Sequence, residues 1–147
     1  VLDQYTMNGG KSVWLIDPVN AELDSLFNEQ GKALAFPREL NLNDLFFKYG
    51  LRVNPVLVND LYFTQIVLAT GDGSSSQYTP VPWVYAPMVF SANNHPINNN
   101  LEAIRFQFAG SIDTLDNGIS KKILLTSSPL SKAEGTPREA VSYTHLT

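Results

Sequence analysis

The sequence predicts a mixed α/β fold, a partly parallel sheet flanked by helices. Two observations carry this expectation. The order helix, glycine, strand occurs twice in the first third of the chain, and strand-like runs dominate the remainder. Val1–Asn8 (VLDQYTMN) reads as the tail of a helix with Leu2, Tyr5 and Met7 roughly on one side. Gly9–Gly10 closes it, because glycine readily takes the left-handed conformation that ends helices. Ser12–Ile16 (SVWLI) is β-branched and aromatic between turn residues, the pattern of a buried strand, and Asp17–Pro18 ends it. This is half of an α/β unit, so an earlier strand is expected to precede it. Asn20–Phe27 (NAELDSLF) has a capping Asn, an early acid and core-facing Leu23, Leu26 and Phe27, which predicts a helix. Asn41–Tyr49, capped by Asn41 or Asn43 and stopped by Gly50, is a second helix that leads into a strand over Leu51–Val53.

Beyond Pro55 the signals become strand-like. Phe63–Ala69 (FTQIVLA) reads as a strand, and Gly71–Gln77 as a turn or loop because Gly and Ser cluster there without an apolar period. Val81–Phe90, with Pro80, Pro82 and Pro87, predicts an edge strand or extended segment, since proline cannot donate to a ladder. Ser91–Asn100, with five asparagines and one proline, is a loop. Glu102–Ala109 alternates Ile104, Phe106 and Phe108 inward with Arg105 and Gln107 outward, and Ile123–Thr126 is a further buried strand before a turn at Ser127–Ser131. No internal repeat or linker interrupts the run, so one domain is expected over residues 1–140.

Composition narrows the function classes. The 147 residues are 44% hydrophobic and 16% charged, enough for one core. Ten basic against fourteen acidic residues give a net charge of −4, and no Lys or Arg stands between Arg52 and Arg105. Nucleic acid is not an expected partner, because phosphate binding needs a basic patch. The absence of cysteine excludes disulfides, thiolate metal sites and thiol nucleophiles. The longest apolar runs, such as Val84–Phe90, fall well short of the roughly 18–20 residues of a membrane span.

No motif assembles a catalytic centre. Gly9–Gly10 precedes a strand, whereas a dinucleotide fingerprint follows one. Gly71-Asp72-Gly73 lacks the spaced carboxylates of a calcium loop. Asp17 stands just past the first strand, where open α/β sheets bind ligands, and Asp-Pro is equally a turn opener. Ser127 and Ser128 follow a strand without the G-x-S-x-G elbow. A Ser127–His95–Asp113 triad can be drawn on paper only. His95 lies in the Asn-rich loop without a second histidine at ligand spacing, as a solvated loop residue does. No cofactor or metal site is therefore expected. The candidate surface is the aromatic stretch Tyr78–Phe90 (YTPVPWVYAPMVF), in which Trp83 and Tyr85 share one face opposite Val84. Exposed at an edge they form a partner surface, and turned inward Trp83 caps the core. Tyr78, Trp83, Tyr85, Asp17 and His95 are the candidate partner- or ligand-contacting residues.

Several segments, in this order, resemble one family: DQYTMNGGKSVWLID, NLNDLFFKYGLRVNPVLVNDL, PWVYAP, the NHPI loop and ILLTSSPLS. They are similar to the gliding-motility-associated ABC transporter auxiliary proteins (the GldG family) from about residue 1 to residue 140. The resemblance implies a soluble α/β domain of glutamine-amidotransferase-like or flavodoxin-like architecture on the periplasmic side of the inner membrane. It also implies a membrane-anchored parent that works beside an ABC permease and its ATPase in Bacteroidota, with this chain a middle fragment. Amidotransferase activity does not carry over, because its nucleophile is a cysteine. Val141–Thr147 (VSYTHLT) departs from the family pattern and is expected to be a non-native tail, so Tyr143 and His145 carry no assigned role. The favoured function is a non-enzymatic accessory domain acting through protein contacts. The alternative is a saccharide-type small-molecule binder using Trp83, Tyr85 and the Asn93–Asn100 amides, and a hydrolase built on Ser127 or Asp17 ranks last.

Overall fold

The chain does not adopt the expected helix-flanked parallel sheet. The computed structural model describes residues 1–70 and 77–142, and every strand pair in it runs antiparallel. Its helices are α1 (Leu2–Met7) and α2 (Asn43–Lys48), six residues each, with a single 3-10 turn at Leu23–Leu26. Six helical residues rise only about 9 Å, too little to carry a right-handed crossover between parallel strands. The early strands are β1 (Val19–Asn20), β2 (Lys32–Pro37), β3 (Leu51–Asn54), β4 (Val56–Asp60) and β5 (Ile66–Thr70). They are followed by β6 (Gln77–Val81), β7 (Met88–Ser91), β8 (Ile104–Arg105) and β9 (Ser111–Thr114). The last are β10 (Leu125–Thr126), β11 (Ser131–Gly135) and β12 (Arg138–Val141).

These strands form small separate sheets: β1-β2-β12, β10-β7-β8, β11-β4, β3-β9 and the hairpin β5-β6. Long-range pairing sets the topology. In β3–β9, Leu51 stands opposite Thr114 and Asn54 opposite Ser111, while β2 takes Arg138 opposite Ala35. Strand β2 reverses the usual sign of the apolar pattern, because Ala33 and Ala35 turn inward while Leu34 and Phe36 face solvent. The core is assembled from Val19, Leu26, Ala35, Leu57, Ile66, Trp83, Tyr85, Ala86, Phe108 and Ala140.

Both helix–glycine junctions form. Gly50 ends α2 with φ +74, a conformation that side-chain-bearing residues avoid, and β3 follows immediately. The Asn20–Phe27 helix shrinks to the 3-10 turn, and its tighter period of three turns Phe27 out to solvent. Ser12–Ile16, expected as a buried strand, pairs with nothing among the described residues, and Val13 and Leu15 are exposed. Glu102–Ala109 is a regular strand only over β8, with Phe106 outward and Phe108 inward. The Gly71–Gln77 turn, including Gly71-Asp72-Gly73, falls outside the described residues up to residue 76. At the other end Val141 stands opposite Lys32 in β12, and the Ser142 amide donates to the Gly31 carbonyl at 2.8 Å.

Helix α1 buries no side chain and is tied down by charge instead. Asp3 accepts from Lys48 Nζ at 2.6 Å and from the Tyr49 hydroxyl at 2.7 Å. Those two hydrogen bonds hold the Asp3 carboxyl below the ordinary carboxylate range and raise Lys48 and Tyr49. A lowered carboxyl contributes stability above its unfolded value, and that contribution is lost as the pH falls through the folded value. Acidification below about pH 4 is therefore expected to free α1 before the rest of the domain unfolds. NMR signals of α1 should move to coil positions while those of β2 stay put, and Asp3→Asn should show the freed pattern at neutral pH.

Candidate interaction surface

The predicted aromatic edge is a central ribbon. Val84 O accepts from Asp60 N at 3.1 Å and Ala86 O from Thr64 N at 3.0 Å on one side. On the other side Tyr85 O accepts from Phe108 N at 2.8 Å and Pro87 O from Phe106 N at 2.9 Å. The prolines fit because Pro87 takes part through its carbonyl, which needs no amide proton. With main chain on both flanks, Trp83 and Tyr85 turn into the core at 0% and 5% exposure. The Trp83 indole N–H donates to Val141 O at 3.0 Å, and its ring meets Phe108 edge-on at 5.1 Å. Neither ring offers a face to a partner or a sugar, so the edge surface is corrected to core and the saccharide reading loses its stacking platform. Burial pushes the Tyr85 phenol up, and the Arg138 guanidinium beside it pulls in the opposite direction.

The other candidates serve local structure. Asp17 Oδ1 accepts from Val19 N at 3.4 Å, and Oδ2 lies 3.6 Å from Arg38, so this exposed carboxylate organises the turn at Pro18. Among the described residues no parallel sheet stands behind it to make a ligand crevice. His95 Nδ1 accepts from Ile97 N at 3.3 Å, and Asn93 Oδ1 accepts from His95 N at 3.0 Å, which winds the NHPI loop upon itself. Buried Asn98 fastens that loop by donating to Leu124 O at 2.6 Å. The paper triad is not assembled: Ser127 Oγ pairs with Ser131 Oγ, and Asp113 binds Arg52 and Asn54. Asn54 and Arg52 hold the Asp113 carboxyl below the ordinary range.

Asp60 stands in no motif and carries no local signal of a special role. Only 1% exposed, its carboxylate accepts from Tyr62 N at 2.8 Å, from Ser128 N at 2.9 Å and from the Ser128 hydroxyl. It welds the end of β4 to the β10–β11 turn. Ser128 Oγ in turn accepts from Leu130 N at 3.0 Å, so this serine is a structural hydroxyl engaged on both sides.

Tyr78 is the one predicted aromatic left at the surface, with 75% of its area exposed. It stands on β6 opposite Ala69 of β5, beside an open groove of about 570 Å³ that Leu26, Phe27, Val67 and Leu68 also line. Phe27 and Val67 are each 56% exposed. Asn28 shapes the rim: its Nδ2 donates to Ser25 O and Lys32 O, both at 2.8 Å, which folds the loop between the 3-10 turn and β2. A smaller depression of about 200 Å³ lies between Glu22, Ser25 and Phe108. No cluster of three or more His, Asp or Glu able to hold a metal occurs among the described residues.

The chain belongs to the family described as ABC-type uncharacterized transport system, whose model matches residues 1–143. That family is an auxiliary component of ABC-type transport systems, which associates this chain with transporter components. No curated protein and no solved structure matches the chain significantly. Among the described residues no helix is long and apolar enough to cross a membrane.

Proposed function

We propose that this domain is a non-enzymatic, extracytoplasmic accessory module of an ABC transport system associated with gliding motility, acting by protein–protein contact. The observation that carries the reading is the family match over residues 1–143. The ordered segments NLNDLFFKYGLRVNPVLVNDL, PWVYAP, NHPI and ILLTSSPLS support the gliding-motility assignment, its Bacteroidota origin and a membrane-anchored parent facing the periplasm. The partners are the ABC permease and its ATPase.

Within this reading the partner surface is the groove of Phe27, Val67 and Tyr78 rather than Trp83 and Tyr85. Exposed aromatic and aliphatic side chains around a concavity gain from burial against another protein, and aromatic anchors carry a disproportionate share of such binding. Replacing both Phe27 and Tyr78 by Ser is expected to weaken recovery of the transporter components from detergent extracts about tenfold or more. The melting temperature should stay within a few degrees, because both side chains are more than half exposed. Undiminished recovery by a folded double variant would remove the groove from the interface.

A further inference from the structure

The groove of Phe27, Val67 and Tyr78 has two walls of unlike chemistry. One is the β5–β6 hairpin, whose strands Ile66–Thr70 and Gln77–Val81 contain no charged residue. The other is the 3-10 turn with the loop after it, Asn20–Gly31 (NAELDSLFNEQG), which holds Glu22, Asp24 and Glu29 but no Lys or Arg. Short hydrogen-bonded turns keep these acids beside the groove. Asp24 O accepts from Phe27 N at 3.1 Å, and Glu22 O accepts from Ser25 N at 3.2 Å. Asn28 O accepts from Gly31 N at 3.0 Å, so Glu29 is central in a turn whose two ends both line the groove.

Nothing in the domain neutralises this wall. All three acids are exposed, and among the described residues none of them enters an ion pair. The nearest cations along the chain are already engaged. Lys32 Nζ lies 2.8 Å from Glu139, while Arg38 donates to Asn20 Oδ1 at 3.1 Å and lies 3.6 Å from Asp17. Electrostatic complementarity suppresses wrong partners and speeds encounter with right ones. An acidic segment would meet like charge here, and a second copy docked by the same patch would set acids against acids. We infer that the groove takes a cationic amphipathic segment of the partner protein. Its apolar side chains seat among Phe27, Val67 and Tyr78, and its lysines or arginines lie over Glu22, Asp24 and Glu29. The inference rests on the reading of this groove as a protein-contact surface and adds the charge of what fills it.

Fluorescence anisotropy on the 147-residue chain tests it, with a short labelled peptide that alternates leucine and tryptophan with lysine. Counterparts carry glutamine or glutamate in place of lysine. The lysine peptide should bind about tenfold or more tighter than the glutamine peptide, and the glutamate peptide weakest. Raising the salt from about 0.1 M to 1 M shortens the Debye length from about 10 Å to 3 Å and should remove most of this preference. The combined variant Glu22→Gln, Asp24→Asn, Glu29→Gln should bind the lysine and glutamine peptides within about twofold of each other. Asp44→Asn, Glu102→Gln, Asp116→Asn removes as much charge from exposed acids that line neither concavity, and should keep the preference. Phe27→Ser with Tyr78→Ser should weaken all three peptides. Equal binding of the lysine and glutamine peptides by the wild type overturns the inference, as does an equal effect of the two neutralised variants. Loss of binding in the Phe27 and Tyr78 variant would then leave the groove a contact surface without a charge preference. Binding unaffected by that variant would remove the groove itself.

Discussion

Trp83→Ala is expected to destabilise the domain by about 3–5 kcal/mol, the usual cost of truncating a large buried aromatic. The indole is fully buried, bonded through its N–H to Val141 O at 3.0 Å, and in ring contact with Tyr85 and Phe108. Truncation opens a cavity where the central ribbon, Phe108 and the last strand meet, and leaves the Val141 carbonyl without its side-chain donor. Chemical denaturation followed by far-UV circular dichroism measures the loss. Trp83→Phe should retain part of the packing and forfeit the hydrogen bond, giving an intermediate value. A surface tryptophan would shift stability by about 0.5 kcal/mol or less. A loss that small would return Trp83 to the surface and make it once more a candidate for partner contact.

Asp60→Ala is expected to cost about 3 kcal/mol or more, by a different mechanism. Removing the carboxylate strands Tyr62 N–H, Ser128 N–H and the Ser128 hydroxyl in a site that is 1% exposed, and buried donors without acceptors retain their full desolvation cost. Asp60→Asn keeps the shape but turns an amide NH2 towards a group that already donates, so it should fall between wild type and Ala. The disturbance should be local. Amide exchange is expected to rise first at Tyr62, Ser128 and Leu130, the groups gathered by this carboxylate and by Ser128. Protection unchanged at these three positions would show that the carboxylate does not hold the β10–β11 turn.

What was legible in the sequence is the part decided by neighbours along the chain. The glycine stops after α1 and α2, the strand at β3 and the Asn-rich loop follow from capping and turn chemistry within a few residues. The parallel α/β expectation failed because two helix–glycine–strand units say nothing about helix length or pairing direction. Helices of six residues cannot carry crossovers, and the strands found their partners by long-range antiparallel pairing, as β2 did with β12 and β4 with β11. Strand β2 lacks the usual apolar-inward signal because its small alanines point inward and its large Leu34 and Phe36 point out. Trp83 and Tyr85 became core because Asp60–Thr64 and Phe106–Phe108 close on the ribbon from both sides, a placement that no local pattern in Tyr78–Phe90 encodes. Tyr78 was readable as surface. Phe27 was not, since its outward turn depends on the 3-10 geometry, and Asp60 differs from any other strand-end acid only through its long-range partner Ser128.

This domain is proposed to work by contact, as an accessory part of an ABC transport system. The direct measurement is affinity purification of the full-length parent from mild detergent, with the co-purifying proteins identified and quantified. An ABC permease and its ATPase recovered at near-stoichiometric yield is the predicted result. A parent that emerges alone, under conditions where the permease and ATPase remain intact and associated with each other, would contradict it.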